Sequence, residues 1–543
     1  MIIPSQENSD MCKKNTFSRR DLIRDAAALS FAAMTSQSIS VADTDPTKVM
    51  DIGSQLELFV ENTLIGNISG GAKLRLHRPT LREISFVCDR DWEGASCTYM
   101  KVFKDGDLYR MYYRGSGVVY KENGYADTHP ETACYAESHD GIHWTRPELG
   151  LFEFEGSKKN NIVWMGSGSH NFAPFLDANP HCPPEQRFKA LAGDYKKGLR
   201  AFISADGLRF TPLQQKMVIS KGAFDSLNLA FWDTQTGIYR EYHRDFRDGR
   251  DIRTGTSSDF IHWTDPNFLS YEAHRDRSQP EGAAPVRDAD PATHVPGRVS
   301  QLYTNQVIPY YRAPHLYLGF PTRYIDRGWT YSATRLPRYD YRRRRAARSR
   351  REGTAVTDGM FMAGRDGEHF YIWPESFIRP GLRTRQSWFY GDNYQNHGLV
   401  ETKSAIEDAP PEISIYVSEN SHQDHPGQFR RHSIRIDGFV SLAAPLVGGE
   451  LVTKPIRFQG NQLVLNLSTS AAGSVQVEIQ DATGQPVPGY TLAESHELYG
   501  DSLNLPAAWK GKHNDVTSLA GKPVRLRFVI RDADLYSYRF QQQ

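Results

Sequence analysis

The chain has 543 residues, of which 65 are basic and 64 acidic, for a net charge of +1, and 12% are aromatic. A disordered chain would be poor in aromatic residues and strongly charged, so this composition excludes disorder. The balanced charge gives no attraction to nucleic acid or to an anionic membrane. At roughly 100–200 residues per domain, the length suggests two to four domains. Forty-three Gly and 30 Pro among many aromatic residues indicate a turn-rich, mostly β protein.

The first 42 residues have the features of an export signal. Arg19 and Arg20 precede a short, Ala-rich apolar stretch, Ala26 to Met34, which is too short to span a bilayer, and small residues follow up to Ala42. This segment resembles a bacterial twin-arginine signal peptide, the alternative being a fortuitous arginine pair. We therefore expect a periplasmic or secreted protein without membrane insertion, and we exclude residues 1–42 from the fold.

The cysteine pattern gives no sign of a metal site or of a catalytic thiol. Cys12 belongs to the export signal, and the other four residues show neither CxxC spacing nor a nearby HxxxH pair; they are Cys88, Cys97, Cys134 and Cys182. An exported protein could form the bridges Cys88–Cys97 or Cys134–Cys182. Buried free thiols are an equally good interpretation.

A short motif recurs four times and indicates a repeat architecture. It consists of a small residue, an Asp two positions later, usually a Gly, and an aromatic residue. The copies are SHDGIHW at 138–144, SADGLRF at 204–210, SSDFIHW at 257–263 and GRDGEHF at 364–370. Asp-Gly supplies the positive φ of a tight turn, so each copy predicts a turn followed by an aromatic residue that packs between sheets.

Each copy of the motif is preceded by an alternating strand, usually rich in Tyr. Five such strands occur, at 108–114, 187–193, 238–244, 315–321 and 413–419, and a shorter strand precedes each one. The unit therefore has about four strands and repeats five times. We predict an all-β chain with a five-bladed β-propeller at 43–440, since a ring of four-stranded sheets leaves only short edges. Longer alternating strands after Gly438 predict a small C-terminal β-sandwich at 441–543.

A run of arginines from Arg342 to Arg351 lies between the third and fourth motif copies, within an interval, 326–357, that has the texture of a loop insertion. One interpretation is a clamp for a sulfated or uronic polysaccharide. The other is an ordinary solvated surface loop.

In a propeller, the innermost strand of each blade begins at a central funnel, so residues that open these strands are candidates for the site. Three of these openings carry an acid: Glu93, Asp225 and Asp392. Other residues near these acids, or at the ends of the Tyr-rich strands, are of types that hydrogen-bond to a sugar or stack on it. These substrate-binding candidates are Trp92, His170, Asn171, Asn228, Asn305, Gln306, Arg244, Asp245 and Tyr394.

Converging carboxylates suit the cleavage of a glycosidic bond. One protonated carboxyl donates to the leaving oxygen, and a second acts as the nucleophile or as the base on water. A carboxylate separation of roughly 5–5.5 Å gives retention of configuration, and about 6.5–9.5 Å gives inversion. We therefore predict that Glu93, Asp225 and Asp392 are catalytic in a glycoside hydrolase.

This pattern of five units, acids at inner-strand starts and a trailing sandwich resembles the invertase, levansucrase and arabinanase-type glycoside hydrolases, and exported bacterial proteins described as family-32-like hydrolases. The resemblance implies a carbohydrate substrate. In arabinanase-type relatives a central His can help to hold calcium or water on the axis, so His170 is the matching candidate for a structural calcium. The Asp-Pro-Asn, Arg-Asp-Pro and Glu-Cys signatures of the invertase family are absent here, and Arg244-Asp245-Phe246 only approximates the second.

The competing hypothesis is a non-catalytic, carbohydrate-binding propeller, which would need the aromatic and amide residues but not three acids. A lyase or sulfatase is less favoured, because the sequence contains no sulfatase motif and specifies no clear His–Tyr pair. The sequence also lacks GxGxxG, GxxxxGKS/T and GxSxG motifs, so no organic cofactor is expected.

Overall fold

The computed structural model describes residues 48–121, 124–195, 197–247, 249–274 and 301–543. The predicted export signal lies outside these ranges. Strands dominate the described residues and helices are few, which confirms the mostly β prediction. No helix in the described ranges is long and apolar enough to cross a membrane.

The strands before and within the first sheet follow the chain in order. They are β1 Met50–Gly53, β2 Glu57–Leu58, β3 Ile65–Gly70, β4 Lys73–Leu76, β5 Thr80–Val87, β6 Thr98–Asp105, β7 Leu108–Gly115, β8 Val118–Lys121, β9 Gly124–Asp127, β10 Thr132–Ser138 and β11 Ile162–Met165. The first sheet has the order β11-β10-β7-β6, and β8 pairs with β9 as a separate hairpin.

Two more four-stranded sheets follow. The second contains β12 Ala173–Leu176, β13 Phe188–Asp194, β14 Gly198–Ser204 and β15 Thr211–Pro212, and the third contains β16 Leu229–Asp233, β17 Ile238–Phe246, β18 Arg250–Ser257 and β19 Asn267–Phe268. Short 3-10 turns at Ser169–Asn171 and Pro184–Gln186 flank β12. In both sheets consecutive strands are antiparallel neighbours, as a propeller blade requires.

The fourth and fifth sheets are larger. The fourth contains β20 Ser270–Ala273, β21 Gln301–Leu302, β22 Ile308–Tyr310, β23 Ala313–Gly319, β24 Thr322–Asp326, β25 Ala355–Gly364 and β26 His369–Ile378. The fifth contains β27 Tyr394–Gln395, β28 Val400–Thr402, β29 Glu412–Glu419 and β30 Gln428–Ile434, and β5 from the start of the chain completes it beside β30.

The five sheets follow one another in a closed ring. Strand β12 of the second sheet contacts β6 and β16, β18 contacts β21, β25 contacts β27, and β28 of the fifth sheet returns to β6 of the first. This order confirms a propeller-like arrangement of sheets. Each inner strand thereby directs its start toward a shared central region.

The recurring Asp motif forms the same turn each time. Asp140 Oδ1 accepts hydrogen bonds from the backbone N–H groups of Ile142 and His143, each at 2.8 Å, and Asp206, Asp259 and Asp366 repeat this arrangement. Gly141, Gly207 and Gly367 have positive φ as predicted. A tyrosine from the preceding sheet in the ring donates to the turn carbonyl in three of the four copies, through Tyr416, Tyr112 and Tyr242. The motif and the Tyr-rich strands therefore act together to hold neighbouring sheets in contact.

The remaining strands form one ten-stranded sheet. The C-terminal members are β31 Val440–Ala444, β32 Gly449–Thr453, β33 Ile456–Phe458, β34 Gln462–Asp481, β35 Asp501–Pro506 and β36 Val524–Gln541, with a 3-10 turn at Thr517–Leu519. Strands β1 to β4 belong to the same sheet, since β1 pairs with β33, β2 with β36, β3 with β32 and β4 with β31. The predicted domain boundary at 440 therefore misplaces residues 50–76, because pairing between the chain ends is not visible in local periodicity.

The insertion between β24 and β25 is helical and not a solvated loop. Its helices are α1 Tyr331–Thr334, α2 Tyr339–Arg348 and α3 Arg350–Thr354. Arg342 is buried, lies 3.7 Å from the Phe389 ring centroid and donates to the carbonyls of Ser387 and Trp388. Arg345 donates to the carbonyl of Tyr390 at 3.1 Å. The arginine run thus anchors the insertion to the segment that leads into the fifth sheet.

Candidate functional site

Four of the predicted substrate-binding amides bond to backbone carbonyls; three of them join neighbouring sheets, and Asn228 bonds within its own segment. Asn171 and Asn228 donate to the carbonyl of Phe224, Asn305 donates to that of Leu227 at 3.1 Å, and Gln306 donates to that of Gln395 at 2.7 Å. All four side chains are buried. Backbone carbonyls near the starts of inner strands lack ladder partners, so buried amides satisfy them. The contacts of these residues are structural, and a role in substrate binding stays a prediction.

Glu93 does not reach the solvent-facing part of this region. Its side chain is 0% exposed, and its two oxygens accept from Arg146 Nε at 2.8 Å and Arg146 Nη2 at 2.9 Å. The Tyr113 hydroxyl also donates to Glu93. Neighbouring Trp92 donates from Nε1 to Asn161 at 2.6 Å and packs against Phe154. Both residues make structural contacts within the first sheet, and these contacts do not favour the predicted catalytic and binding roles.

Asp392 is buried as well. Its carboxylate accepts from the backbone N–H of Ser421 at 3.0 Å and of Phe389 at 3.4 Å, and from Gln423. Burial raises the pKa of Asp392 to about 7, although the Ser421 hydrogen bond and the charge of Arg345 oppose this shift. The position indicates a buried turn-forming acid and gives no sign of contact with substrate.

This raised pKa predicts a pH-dependent stability difference for Asp392→Asn. A carboxyl with a folded-state pKa above its unfolded value contributes stability that is present below pH 4 and is lost as the pH rises toward about 7. As the pH rises from about 4 to about 7, the free energy of unfolding of the wild type should therefore fall relative to that of the variant. Urea unfolding of both proteins at several pH values measures this difference. A constant difference across this range would contradict the assignment.

A cluster of tyrosines and arginines occupies the centre of the ring, and we call it the tyrosine–arginine cluster. Its tyrosines are Tyr99, Tyr303, Tyr324, Tyr390 and Tyr394, and its arginines are Arg114, Arg244, Arg250 and Arg351. The guanidinium of Arg244 lies 4.8 Å from the centroid of the Tyr303 ring, and that of Arg250 lies 5.0 Å from it. Of the predicted binding residues, Arg244 and Tyr394 belong to this cluster.

Tyr303 is the electrostatic centre of the cluster. Its hydroxyl lies 2.6 Å from the Tyr390 hydroxyl. Burial alone would raise the pKa of Tyr303, but the positive charges of Arg244, Arg351 and Arg250 outweigh it and lower the pKa to about 7. A phenol that exchanges its proton near neutral pH is suited to general acid–base chemistry.

Asp225 is the one predicted acid with an exposed carboxylate at this cluster. Its side chain is 37% exposed and forms an ion pair with Arg244, which is itself 3% exposed. Its backbone carbonyl accepts from the Tyr99 hydroxyl at 3.0 Å. Asp245 follows Arg244 but pairs instead with Arg253, at 2.6 Å. The alternation of β17 therefore separates Arg244 from Asp245, and only Arg244 reaches the cluster.

His170 connects the cluster to a second carboxylate that the sequence analysis missed. Its Nδ1 lies 2.9 Å from Glu131, and Arg114 donates from Nη1 to His170 Nε2 at 3.2 Å. Burial and the charge of Arg114 lower the pKa of His170, although Glu131 opposes the shift. Although burial opposes the shift, Arg114 and His170 lower the pKa of Glu131 to about 2. The Tyr99 ring, 5.5 Å from His170, separates this group from Asp225.

Three of the non-glycine residues with positive φ lie in or beside the same cluster, and others occur elsewhere in the chain. Tyr99 has φ 55°, Asn393 has φ 62° and His422 has φ 54°. Left-handed backbone is costly for a bulky residue such as Tyr and persists where the surrounding structure imposes it, often at functional sites. The His422 ring lies 6.2 Å from that of Tyr390, at the edge of the cluster.

The residues at the ring axis do not fit the calcium site implied for His170. Lys101 of β6 is buried there beside His397, and burial lowers the pKa of Lys101 to about 7. Calcium prefers carboxylate ligands, and the described residues form no cluster of three or more His, Cys, Asp or Glu suited to a metal.

The four cysteines outside the export signal are free thiols in the structure. Cys88, Cys97 and Cys134 are buried in the core of the first sheet, and Cys182 is half-buried. Burial raises the pKa of Cys88 and of Cys134. These thiols are accordingly inert packing groups at neutral pH.

Comparison with known proteins gives only distant likenesses. No protein-family model matches the chain, and no curated protein matches it. A solved endo-1,4-beta-xylanase from Bacteroides thetaiotaomicron is 12% identical with a TM-score of 0.38, covering 67% of this chain and 96% of that one. The catalytic domain of a GH62 alpha-L-arabinofuranosidase from Coprinopsis cinerea is 8% identical with a TM-score of 0.36, covering 66% and 97%. An N-acetylgalactosamine deacetylase from F. plautii is 11% identical with a TM-score of 0.38, covering 66% and 96%. Likeness of this size does not establish a shared activity.

Proposed function

We propose that this chain is an exported glycoside hydrolase that acts on a poly- or oligosaccharide, that its five sheets are the blades of a five-bladed propeller, and that the tyrosine–arginine cluster is its active site. The observation that carries the proposal is the position of Asp225. Its side chain is partly exposed and pairs with Arg244, whose guanidinium lies 4.8 Å from the centroid of the Tyr303 ring. The twin-arginine segment of the sequence supports export.

The chemistry requires a proton donor and a carboxylate on opposite sides of the bond. Tyr303, with a pKa lowered to about 7 by its arginines against the effect of burial, supplies the proton to the leaving oxygen. Asp225 acts as the nucleophile or as the base on water. Tyr99 and Tyr394 present aromatic rings beside them, which suit stacking on the faces of sugars.

A non-catalytic carbohydrate-binding protein is the second candidate. It is favoured by the burial of Glu93 and Asp392, which removes two of the three acids predicted for catalysis. Such a protein would use the same tyrosines and arginines to hold a glycan without cleaving it.

Asp225→Asn separates the two candidates. If Asp225 is catalytic, the variant should lose about 100-fold or more in kcat on any glycan that the wild type cleaves, while retaining binding. The measurement is release of reducing ends together with glycan affinity by calorimetry. Asp245→Asn is the matched control, because the same substitution one residue from Arg244 removes a carboxylate whose ion-pair partner in the described part of the chain is Arg253.

Two results would contradict the proposal. Binding without cleavage across a broad glycan panel would establish the binding protein. Cleavage that yields a new carbon–carbon double bond would show elimination in place of hydrolysis.

A further inference from the structure

The tyrosine–arginine cluster carries more positive charge than the described carboxylates beside it neutralise. Arg244 pairs with Asp225. Arg250 donates to the neutral amide oxygen of Gln301 at 2.7 Å. Among the residues that the structure describes, Arg351 has contacts with tyrosine rings, including Tyr390 at 5.2 Å, and no carboxylate within ion-pair distance. Two of the three guanidinium groups around Tyr303 therefore have no counter-charge.

Several guanidinium donors of this cluster are also unused. Arg244 Nε and Nη1 and Arg250 Nε are buried and have no hydrogen-bond partner among the described residues. An unsatisfied buried donor is costly, most of all on a charged group. A planar or tetrahedral anion with several oxygens satisfies such donors with short, charge-assisted hydrogen bonds.

The helical insertion fixes the third arginine in place. Arg351 lies in α3, and the preceding helix is secured by Arg342 and Arg345, whose guanidinium groups donate to backbone carbonyls. Arg350, the adjacent residue, is 70% exposed and pairs with Asp326. The insertion thus delivers one arginine to the cluster and leaves its neighbour at the surface.

We propose that Arg244, Arg250 and Arg351 bind an anionic group on the sugar ring of the substrate, either the carboxylate of a uronic acid or a sulfate ester. This inference rests on the proposed function for the carbohydrate part of the ligand. The tyrosine rings contact the sugar, and the guanidinium groups select for its charge. Neutral glycans leave the surplus positive charge uncompensated and bind more weakly.

The test is calorimetric binding of charged and neutral glycans to the full chain. We expect the chain to bind oligogalacturonides or sulfated galacto-oligosaccharides at least 10-fold more tightly than their methyl-esterified or desulfated counterparts. Arg351→Gln should weaken binding of the charged glycan by about 10- to 100-fold, the loss expected for charge-assisted contacts. Arg350→Gln, which removes a surface ion pair, should leave the affinity unchanged.

A second readout is independent of turnover. A bound anion and the Tyr303 phenolate compete for the same positive field, so the charged glycan should raise the pH at which tyrosinate absorbance develops, and the neutral glycan should not. Arg351→Lys should recover part of the affinity lost in Arg351→Gln, because the charge returns without the planar fork.

The outcomes separate this inference from the proposed function. Preference for the uronate or for the sulfated glycan identifies the anionic group, and either supports the inference. Equal binding of charged and neutral glycans overturns it, even if the chain hydrolyses them. Selective binding of the charged glycan without cleavage overturns the proposed function and leaves the inference standing.

Discussion

Tyr303→Phe is expected to lower kcat/KM by about 10²- to 10⁴-fold, the range typical for loss of a general acid or base. The variant keeps the ring that packs against Tyr390 and Tyr394 and removes only the hydroxyl. Substrate affinity should therefore change little, and the loss should fall on kcat. The measurement is steady-state kinetics on the cleaved glycan.

The pH dependence of the same variant distinguishes catalysis from packing. Since the proposed role requires the protonated phenol, wild-type kcat/KM should fall as the pH rises above about 7, and this limb should be absent in Tyr303→Phe. The wild type should also gain tyrosinate absorbance with a midpoint near pH 7. Tyr311→Phe is the matched control, because Tyr311 is 46% exposed and contacts Glu401 outside the cluster.

The lowered pKa of Tyr303 also determines how the stability of the fold depends on pH. The folded-state pKa of Tyr303 lies below the ordinary tyrosine pKa of about 10, so the unfolded chain binds the extra proton between about pH 7 and pH 10. The stabilising contribution of the ionised phenol is complete above about pH 10 and is lost as the pH falls through about 7. A wild type without any tyrosinate step below pH 9 would refute the assignment.

Glu93→Gln is expected to destabilise the fold by about 3 kcal/mol or more, because it leaves Arg146 without its buried partner. Arg146 also stacks on Phe86 with its guanidinium 3.9 Å from the ring centroid, so it cannot easily turn to solvent. The urea midpoint should fall with an unchanged slope.

The double variant Glu93→Gln/Arg146→Met provides the control for this second prediction. Removing both charges should recover part of the lost stability, since no unpaired buried charge remains. The kcat per folded molecule should match the wild type in both variants at a temperature where they are folded. A large loss of kcat in the folded Glu93→Gln variant would contradict this prediction and would indicate that Glu93 is catalytic.

The local patterns of the sequence predicted much of the fold. The Asp motif specifies a turn because its carboxylate caps two backbone N–H groups within three residues, a local interaction seen in all four copies. Alternation in the Tyr-rich strands likewise predicts a half-buried strand. Each of these patterns involves residues that are close in the sequence, so each can be recognised without the tertiary structure.

The candidate site was only partly predictable. The rule that inner-strand starts converge selected Tyr394, which lies in the tyrosine–arginine cluster, and Asp225, which pairs with Arg244 of that cluster. It could not tell a carboxylate facing solvent from one buried against Arg146 or Ser421. Glu131 was missed because it lies just before β10 and meets His170 only through the packing of the first two sheets.

The sequence by itself determined the strands, the turns and the repeat, because these depend on side-chain alternation and short-range hydrogen bonds. Only the tertiary structure decided the pairing of β1 to β4 with the C-terminal strands, the closure of the fifth sheet by β5, and the gathering of Arg244, Arg250 and Arg351 around Tyr303. Those features depend on contacts between residues far apart in the chain, and burial and charge at such contacts, more than residue type, set the chemistry of each group.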